Sequence, residues 1–162
     1  MYNTMEIPAR VTSIADQAFF DTEDKIDSTI PSFITKLIFS EESKCTSIGF
    51  EAFNSFSSLT SVTFPSGLSF ISNDTFAECS ALTSVSFPGS LTRIDENAFG
   101  SCISLTEIIW NDLNIAPRIV GSVFGNVANT GHVKSTGSYT SSQLLSLLKE
   151  KGLPSDWEIA EE

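Results

Sequence analysis

LTSVTFPSGLSFISNDTFAECSA, residues 59–81, is followed without a gap by LTSVSFPGSLTRIDENAFGSCIS, residues 82–104, and then by LTEIIW, residues 105–110. The columns Leu59/Leu82/Leu105, Val62/Val85/Ile108, Phe64/Phe87/Trp110 and Phe53/Phe76/Phe99 all keep this period of 23 residues. Self-similarity at a fixed period of this length marks stacked supersecondary units. Side chains alternate across an extended strand, so Val62 and Phe64 share one side while Ser61 and Thr63 share the other. One such unit cannot bury its apolar side alone. Coils stacked at strand spacing, about 4.8 Å, bury it against their neighbours. Each fully buried Phe or Leu then contributes roughly 1.5–3 kcal/mol. Pro65 and Pro88, directly after the strand, lack an N–H and help to end it. The sequence therefore predicts a mainly β repeat solenoid with parallel strands on one face.

The array extends in both directions. Ile7, Val11, Ile14 and Phe19 share the offsets of Phe64, Leu68, Ile71 and Phe76, so Tyr2 to Ile7 reads as the strand of an earlier coil. Between Phe19 and Phe53 the spacing grows to 34 through insertions, the larger at about residues 20–33, after which Ile34, Leu37 and Phe39 return to register. Phe124 lies 25 after Phe99, with the two extra residues between Trp110 and Ile119, and Val133 takes the place of Val62. The expected solenoid covers residues 2–135. Residues 136–162 form a C-terminal cap with a helix at about 141–151: Thr140 and Gln143 make a capping box, Leu144, Leu145, Leu147 and Leu148 one apolar face, and Gly152 with Pro154 the stop. Trp157 and Ile159 are expected to help cover the last coil. No comparable cap precedes Tyr2, so an upstream repeat or a neighbouring chain is expected to cover that end.

Composition narrows the function. A chain that is 41% hydrophobic and 18% charged is too apolar to be disordered. A net charge of −11 with only 9 Lys and Arg argues against a nucleic-acid partner, whose phosphates require concentrated positive charge. No apolar run reaches the roughly 18 residues of a membrane span, and Met1 to Arg10 lacks the basic and apolar regions of a signal peptide. Three cysteines cannot close a disulfide framework among themselves, and their spacing fits no metal motif. Cys79 and Cys102 follow equivalent corners and Cys45 takes the slot of Leu68 and Leu91, so all three read as free core thiols.

The repeats SLTSVTFPSGLSFISNDTFAECS and SLTRIDENAFGSC resemble the BspA-type leucine-rich repeats of bacterial surface proteins. The shared pattern is a strand of form LxxVxFP, a second apolar pair, then AFxxC. The resemblance implies a leucine-rich-repeat right-handed superhelix that is not an enzyme, and a secreted or cell-surface, adhesin-like location. The chain departs from the family in having no visible signal peptide and in its acidic insertion.

In such a solenoid the strand residues that alternate with the buried ones are open to a ligand. Those positions are Thr4, Glu6, Lys36, Ile38, Ser61, Thr63, Ser84, Ser86, Glu107, Ile109, His132 and Lys134. Lys36 through Lys134 form the candidate ligand-binding face for a protein or glycan. The plainer reading is that they are β-favouring solvent residues. Asp21, Glu23, Asp24 and Asp27 supply four carboxylates, but lack the spacing and Gly of an EF-hand loop and read as a solvated insertion. His132 has no nucleophile or carboxylate at a motif spacing and reads as a strand-surface residue. Phe70 is predicted to point outward on the opposite face. No acid–base pair, phosphate loop or metal constellation stands out, so no catalytic residue and no cofactor is expected. Two functions remain: a binding module that works through its strand face, and a spacer or stalk within a longer surface protein.

Overall fold

The computed structural model describes residues 3–19 and 30–160. In chain order its elements are β1 (Thr4–Ile7), β2 (Ser13–Ile14), the single-turn α1 (Ile30–Phe33), β3 (Lys36–Phe39), β4 (Ser47–Ile48), β5 (Ser61–Thr63) and β6 (Phe70–Ile71). Then come β7 (Ser84–Phe87), β8 (Arg93–Ile94), β9 (Glu107–Trp110), β10 (Arg118–Ile119), β11 (His132–Ser135), α2 (Ser141–Glu150) and β12 (Glu158–Ile159). Odd-numbered strands and β12 form a seven-stranded parallel sheet, ordered β1-β3-β5-β7-β9-β11-β12. The five short even-numbered strands β2 to β10 form a second parallel sheet in sequence order. The first five coils thus contribute one strand to each sheet, β11 and β12 belong to the large sheet alone, and the protein is a parallel β-solenoid with a short C-terminal helix.

The apolar columns read from the sequence fill the space between the sheets. Leu37, Val62, Val85, Ile108 and Val133 are buried on the inner side of the large sheet, and Ile14, Ile48, Ile71, Ile94 and Ile119 on the inner side of the small one. Between them runs a stack of phenyl rings. Phe19–Phe53, Phe53–Phe76, Phe76–Phe99 and Phe99–Phe124 have centroids 5.0, 5.3, 5.3 and 5.5 Å apart, with interplanar angles of 18° or less. The near-parallel stacking follows from placing the same residue at the same point of successive coils. Such ring pairs contribute roughly 0.5–1.5 kcal/mol beyond their buried area.

The corner that closes each coil is a run of turns in which amides of one coil donate to carbonyls of the next. Phe53 N–H bonds Thr75 O at 2.9 Å, Phe76 N–H bonds Ala98 O at 2.8 Å and Phe99 N–H bonds Val123 O at 3.0 Å. Two residues per corner are left-handed, in the columns Gln17/Glu51/Asp74/Asn97 and Ser55/Glu78/Ser101/Asn126, with φ from +51° to +63°. Each such residue costs about 1–2 kcal/mol for an L-amino acid. Side chains recover part of this by bonding between coils: Gln17 Nε2–H to Glu51 at 2.8 Å, Asn97 Nδ2–H to Asp74 at 2.6 Å and Asn126 Nδ2–H to Ser101 at 3.4 Å.

At the C-terminal end Thr140 caps α2, accepting from Gln143 N–H at 3.3 Å while its own N–H donates to Gln143 Oε1 at 2.9 Å. Leu144 and Leu148 are buried beneath the helix, and Leu145 and Leu147 are half-buried. Trp157 is buried, its indole N–H donating to Ala128 O at 2.8 Å. One feature differs from the sequence reading. The large sheet has a rung more than the six strands counted from the repeat, because β12 returns after the helix to pair with β11 through His132↔Glu158 and Val133↔Ile159. Ile159 thereby continues the core column as its last member, in register with the buried Val133 and itself 42% exposed. The acidic segment Asp21 to Asp27 lies outside the described residues, as does Tyr2.

Candidate functional site

The strand-face residues fall into two rows that cross the large sheet. Thr4, Lys36 and Ser61 are in register, and Ser84, Glu107 and His132 continue that row to Glu158. Glu6, Ile38, Thr63, Ser86, Ile109 and Lys134 form the second row. Most are exposed; Ser61, Ser84 and Ile109 are half-buried. The rows run from a mixed-charge end at Lys36 and Glu6, through a hydroxyl-rich centre, to Glu107, His132 and Glu158. His132 thus stands between two carboxylate-bearing residues on flanking strands. The linear sequence hides this, since Glu158 reaches the row only through β12. Beside it a hollow of about 410 Å³ is lined by Thr106, Thr130, Gly131, His132, Asp156 and Glu158.

The sheet is not uniform along its length. β7 and β9 pair at four successive positions, Ser84↔Glu107 to Phe87↔Trp110, whereas β5 and β7 pair at Thr63↔Ser86 alone. The cause at the strand ends is chemical. Asn111 N–H closes the β7–β9 junction by donating to Phe87 O at 2.9 Å, and Thr136 N–H does the same for Trp110 O at 2.9 Å. Pro65 and Pro88 stand at the corresponding positions and have no N–H to offer the carbonyls of Phe39 and Phe64. β5 therefore stops at Thr63. Phe64 is half-buried, while Phe39, Phe87 and Trp110 of its column are buried. The Phe64 ring leans on Phe87 at 5.6 Å and edge-on against Phe76 at 5.7 Å.

A groove of about 650 Å³ opens where pairing is lost. Val62, Phe64 and Pro88 are its apolar lining; Thr63, Ser66, Ser86 and Ser90 bring hydroxyls; Asn111, Asp112 and Asn114 form a wall. The wall belongs to the stretch between Trp110 and Ile119 that carries the two extra residues of this coil. It sits close on the preceding coil because residue 89 is Gly: a Cβ there would lie 2.6 Å from Asp112 O and 2.8 Å from Asn111 O. Asn111 Nδ2–H latches the wall to β7, donating to Ser86 Oγ at 2.8 Å and Phe87 O at 3.2 Å. Beyond the wall Ile115 is 79% exposed and borders a second, smaller hollow that shares Gly89, Asp112 and Asn114 with the first. Of the groove, the sequence reading assigns only Thr63 and Ser86 to the ligand face, and takes Val62, Phe64 and Pro88 as core and strand end. The available signal for the rest was the pair of post-strand prolines together with the insertion, since extra residues in one repeat emerge as loops, often on the binding face.

The other titratable groups serve the scaffold. Cys79 and Cys102 are buried and free, their thiols donating to Phe53 O at 3.4 Å and Phe76 O at 3.3 Å of the preceding coil. Burial pushes both thiols up, Cys102 to about 12. Cys45 is shifted upward by burial as well and donates to Ser47 O. These thiols lack the electropositive, accessible setting of a reactive cysteine. On the small sheet the Arg93 guanidinium lies over Phe70, 5.1 Å from the ring centre, and grips Asp95 through two hydrogen bonds of 2.6 and 2.8 Å. Phe70 does face outward, but this cation covers it. Among the described residues no group of three or more His, Cys, Asp or Glu side chains is placed to hold a metal ion, and no helix is long and apolar enough to cross a membrane.

Comparison with known proteins agrees with this architecture. No curated protein matches the chain. Among solved structures it is similar to a leucine-rich-repeat protein of T. pallidum, with a TM-score of 0.60 at 17% identity over 99% of this chain and 87% of that one. It is also similar to the pneumococcal vaccine antigen PcpA, with a TM-score of 0.66 at 15% identity, again over 99% of this chain but 42% of the other. At such identities the likeness speaks for the fold. The BspA-type leucine-rich-repeat pattern matches in six copies over residues 31–143, well over half of the sequence, and the chain belongs to that family.

Proposed function

We propose that this protein is a non-catalytic, cell-surface or secreted recognition module that binds a protein or glycan through the outer side of its seven-stranded sheet. The observation that carries the reading is the paired rows: up to seven rungs hold side chains of chosen polarity in fixed register, on a rigid platform that a ligand meets without reordering it. Preorganisation of this kind lowers the entropic cost of association. Surface location rests on the family, whose members are associated with bacterial surfaces. A net charge of −11 favours partners that are neutral or basic.

The test is an array of purified proteins and glycans, probed with the wild type and with a variant carrying Ser61→Arg, Thr63→Arg, Ser84→Arg and Ser86→Arg. All four side chains lie outside the core, so far-UV circular dichroism and thermal melting should stay close to wild type. Loss of binding to the wild-type hits is expected. Equal binding by both proteins removes the strand face from consideration.

A second reading, a spacer within a longer array of coils, draws support from the ends of the solenoid. Met5, Val11 and Phe19 of the first coil are only partly buried, and Ile159 is exposed at the other edge. If the protein as naturally encoded is a stable monomer with no further repeats, this reading fails.

A further inference from the structure

We propose that the groove at the ends of β5, β7 and β9, walled by Asn111 to Asn114, is a subsite for a neutral saccharide; the inference rests on the strand-face reading and specifies its ligand. Hydrogen bonds already made within the groove decide what is left for a ligand. Ser90 Oγ–H is committed to Ser66 O and Leu68 O, both at 2.7 Å. Asn114 gives its amide to Asp112 O and accepts from Ser138. Asn111 spends its Nδ2 on the latch to β7. What remains is rich in acceptors: Asn111 Oδ1, the exposed Asp112 carboxylate and the Phe64 carbonyl that Pro88 cannot serve, together with the hydroxyls of Thr63 and Ser66.

A ligand matching this lining presents several adjacent donors beside an apolar surface. A pyranose does so, with vicinal hydroxyls around its rim and C–H groups on its face, the latter to meet Phe64 and Pro88. A lysine or arginine side chain is also donor-rich. However, the groove brings it one carboxylate, Asp112, in the open, where an ion pair gains little. The geometry points the same way. Equivalent positions on neighbouring rungs recur at about 4.8 Å, close to the advance of one sugar in an extended glycan. The absence of a lysine or arginine from the lining selects against acidic sugars.

The groove carries its own reporter. Trp110 is buried directly beneath it, with its indole N–H donating to Pro88 O at 3.1 Å, so an occupant that displaces Pro88 perturbs its fluorescence. The experiment is a printed array of neutral oligosaccharides, with hits titrated in solution by tryptophan fluorescence against the wild type, Asp112→Asn and Ser66→Tyr. Asp112 is left-handed at φ +51°, which asparagine tolerates, and Ser66 is exposed, so both variants keep the fold. At least one oligosaccharide should bind, about tenfold or more weaker to Asp112→Asn because a charge-assisted hydrogen bond is lost, and undetectably to Ser66→Tyr. An array blank for neutral glycans, or hits indifferent to both substitutions, overturns the proposal. So does an oligolysine peptide that binds where saccharides do not. If a polypeptide is held by the strand face while the glycan array is blank, the saccharide is wrong and the recognition function stands; if neither array binds, both fall.

Discussion

The junctions β5–β7 and β7–β9 are built from nearly the same words, LTSVTF against LTSVSF and LTSVSF against LTEIIW, yet one is held at a single register pair and the other at four. Pro88's missing N–H accounts for the pair lost at Phe64 and Phe87, though not for those at Ser61 with Ser84 and Val62 with Val85, and the consequence reaches through the column. Phe64 loses its strand position and is only partly buried, whereas Phe87 one coil later is sealed between Phe99 and Trp110. A repeat protein can thus open its surface at a chosen rung without altering the period that stabilises its core.

The largest effects are expected at the two rings. Phe87→Ala should destabilise by about 3–5 kcal/mol, the range for a fully buried aromatic, and Phe64→Ala by about half as much, read from urea denaturation midpoints at constant slope. Equal losses would mean that Phe64 is as well packed as its neighbour and that the groove is shallower than described. The latch comes next. Asn111→Ala removes two donated hydrogen bonds that are partly open to solvent and should cost about 1 kcal/mol. It should also speed amide exchange at the end of β7 while leaving β3 untouched. Pro88→Ala has the smallest effect on stability. A regained hydrogen bond of about 0.5–1.5 kcal/mol is offset by about 0.4–1 kcal/mol of lost chain stiffness. Its signature is local: the new amide at position 88 should exchange slowly if it reaches Phe64 O, and rapid exchange would show that the seam has another cause.

Much of this was legible beforehand, and the reasons are specific. A spacing of 23 residues repeated at Leu59, Leu82 and Leu105 leaves few folds to consider, and once the rungs stack, alternation assigns inside and outside to each strand residue. Thr140 and Gln143 announce the helix because capping chemistry is local. What periodicity could not reveal lies where the chain leaves the period. Glu158 and Ile159 follow a helix, with no repeat to align them, so neither β12 nor the placement of His132 between Glu107 and Glu158 could be read. The groove is hidden in the sequence for a related reason: its wall is the insertion, which falls outside the repeat's register. Pro65 and Pro88 were read as strand endings, which they are. Their effect on the neighbouring strand is a property of the pair of coils and appears only when two coils are set side by side.

The corners, finally, carry a direction. Their inter-coil amides, from Gln17 through Ser101, point toward the C-terminal end of the stack and their carbonyls toward its start. The peptide dipoles along this edge therefore add, as they do in a helix, but with the positive pole at the last coil. The described structure brings the end of α2 to that pole: Gly152, just past the helix and at φ +97°, packs against Ser122 so closely that a Cβ there would collide with the serine hydroxyl. A helix terminates in exposed carbonyls and a partial negative charge. The C-terminal turn of α2 thus stands beside the positive end of the corner dipoles, with its Leu148 and Lys149 carbonyls taken up by the N–H groups of Lys151, Gly152 and Leu153.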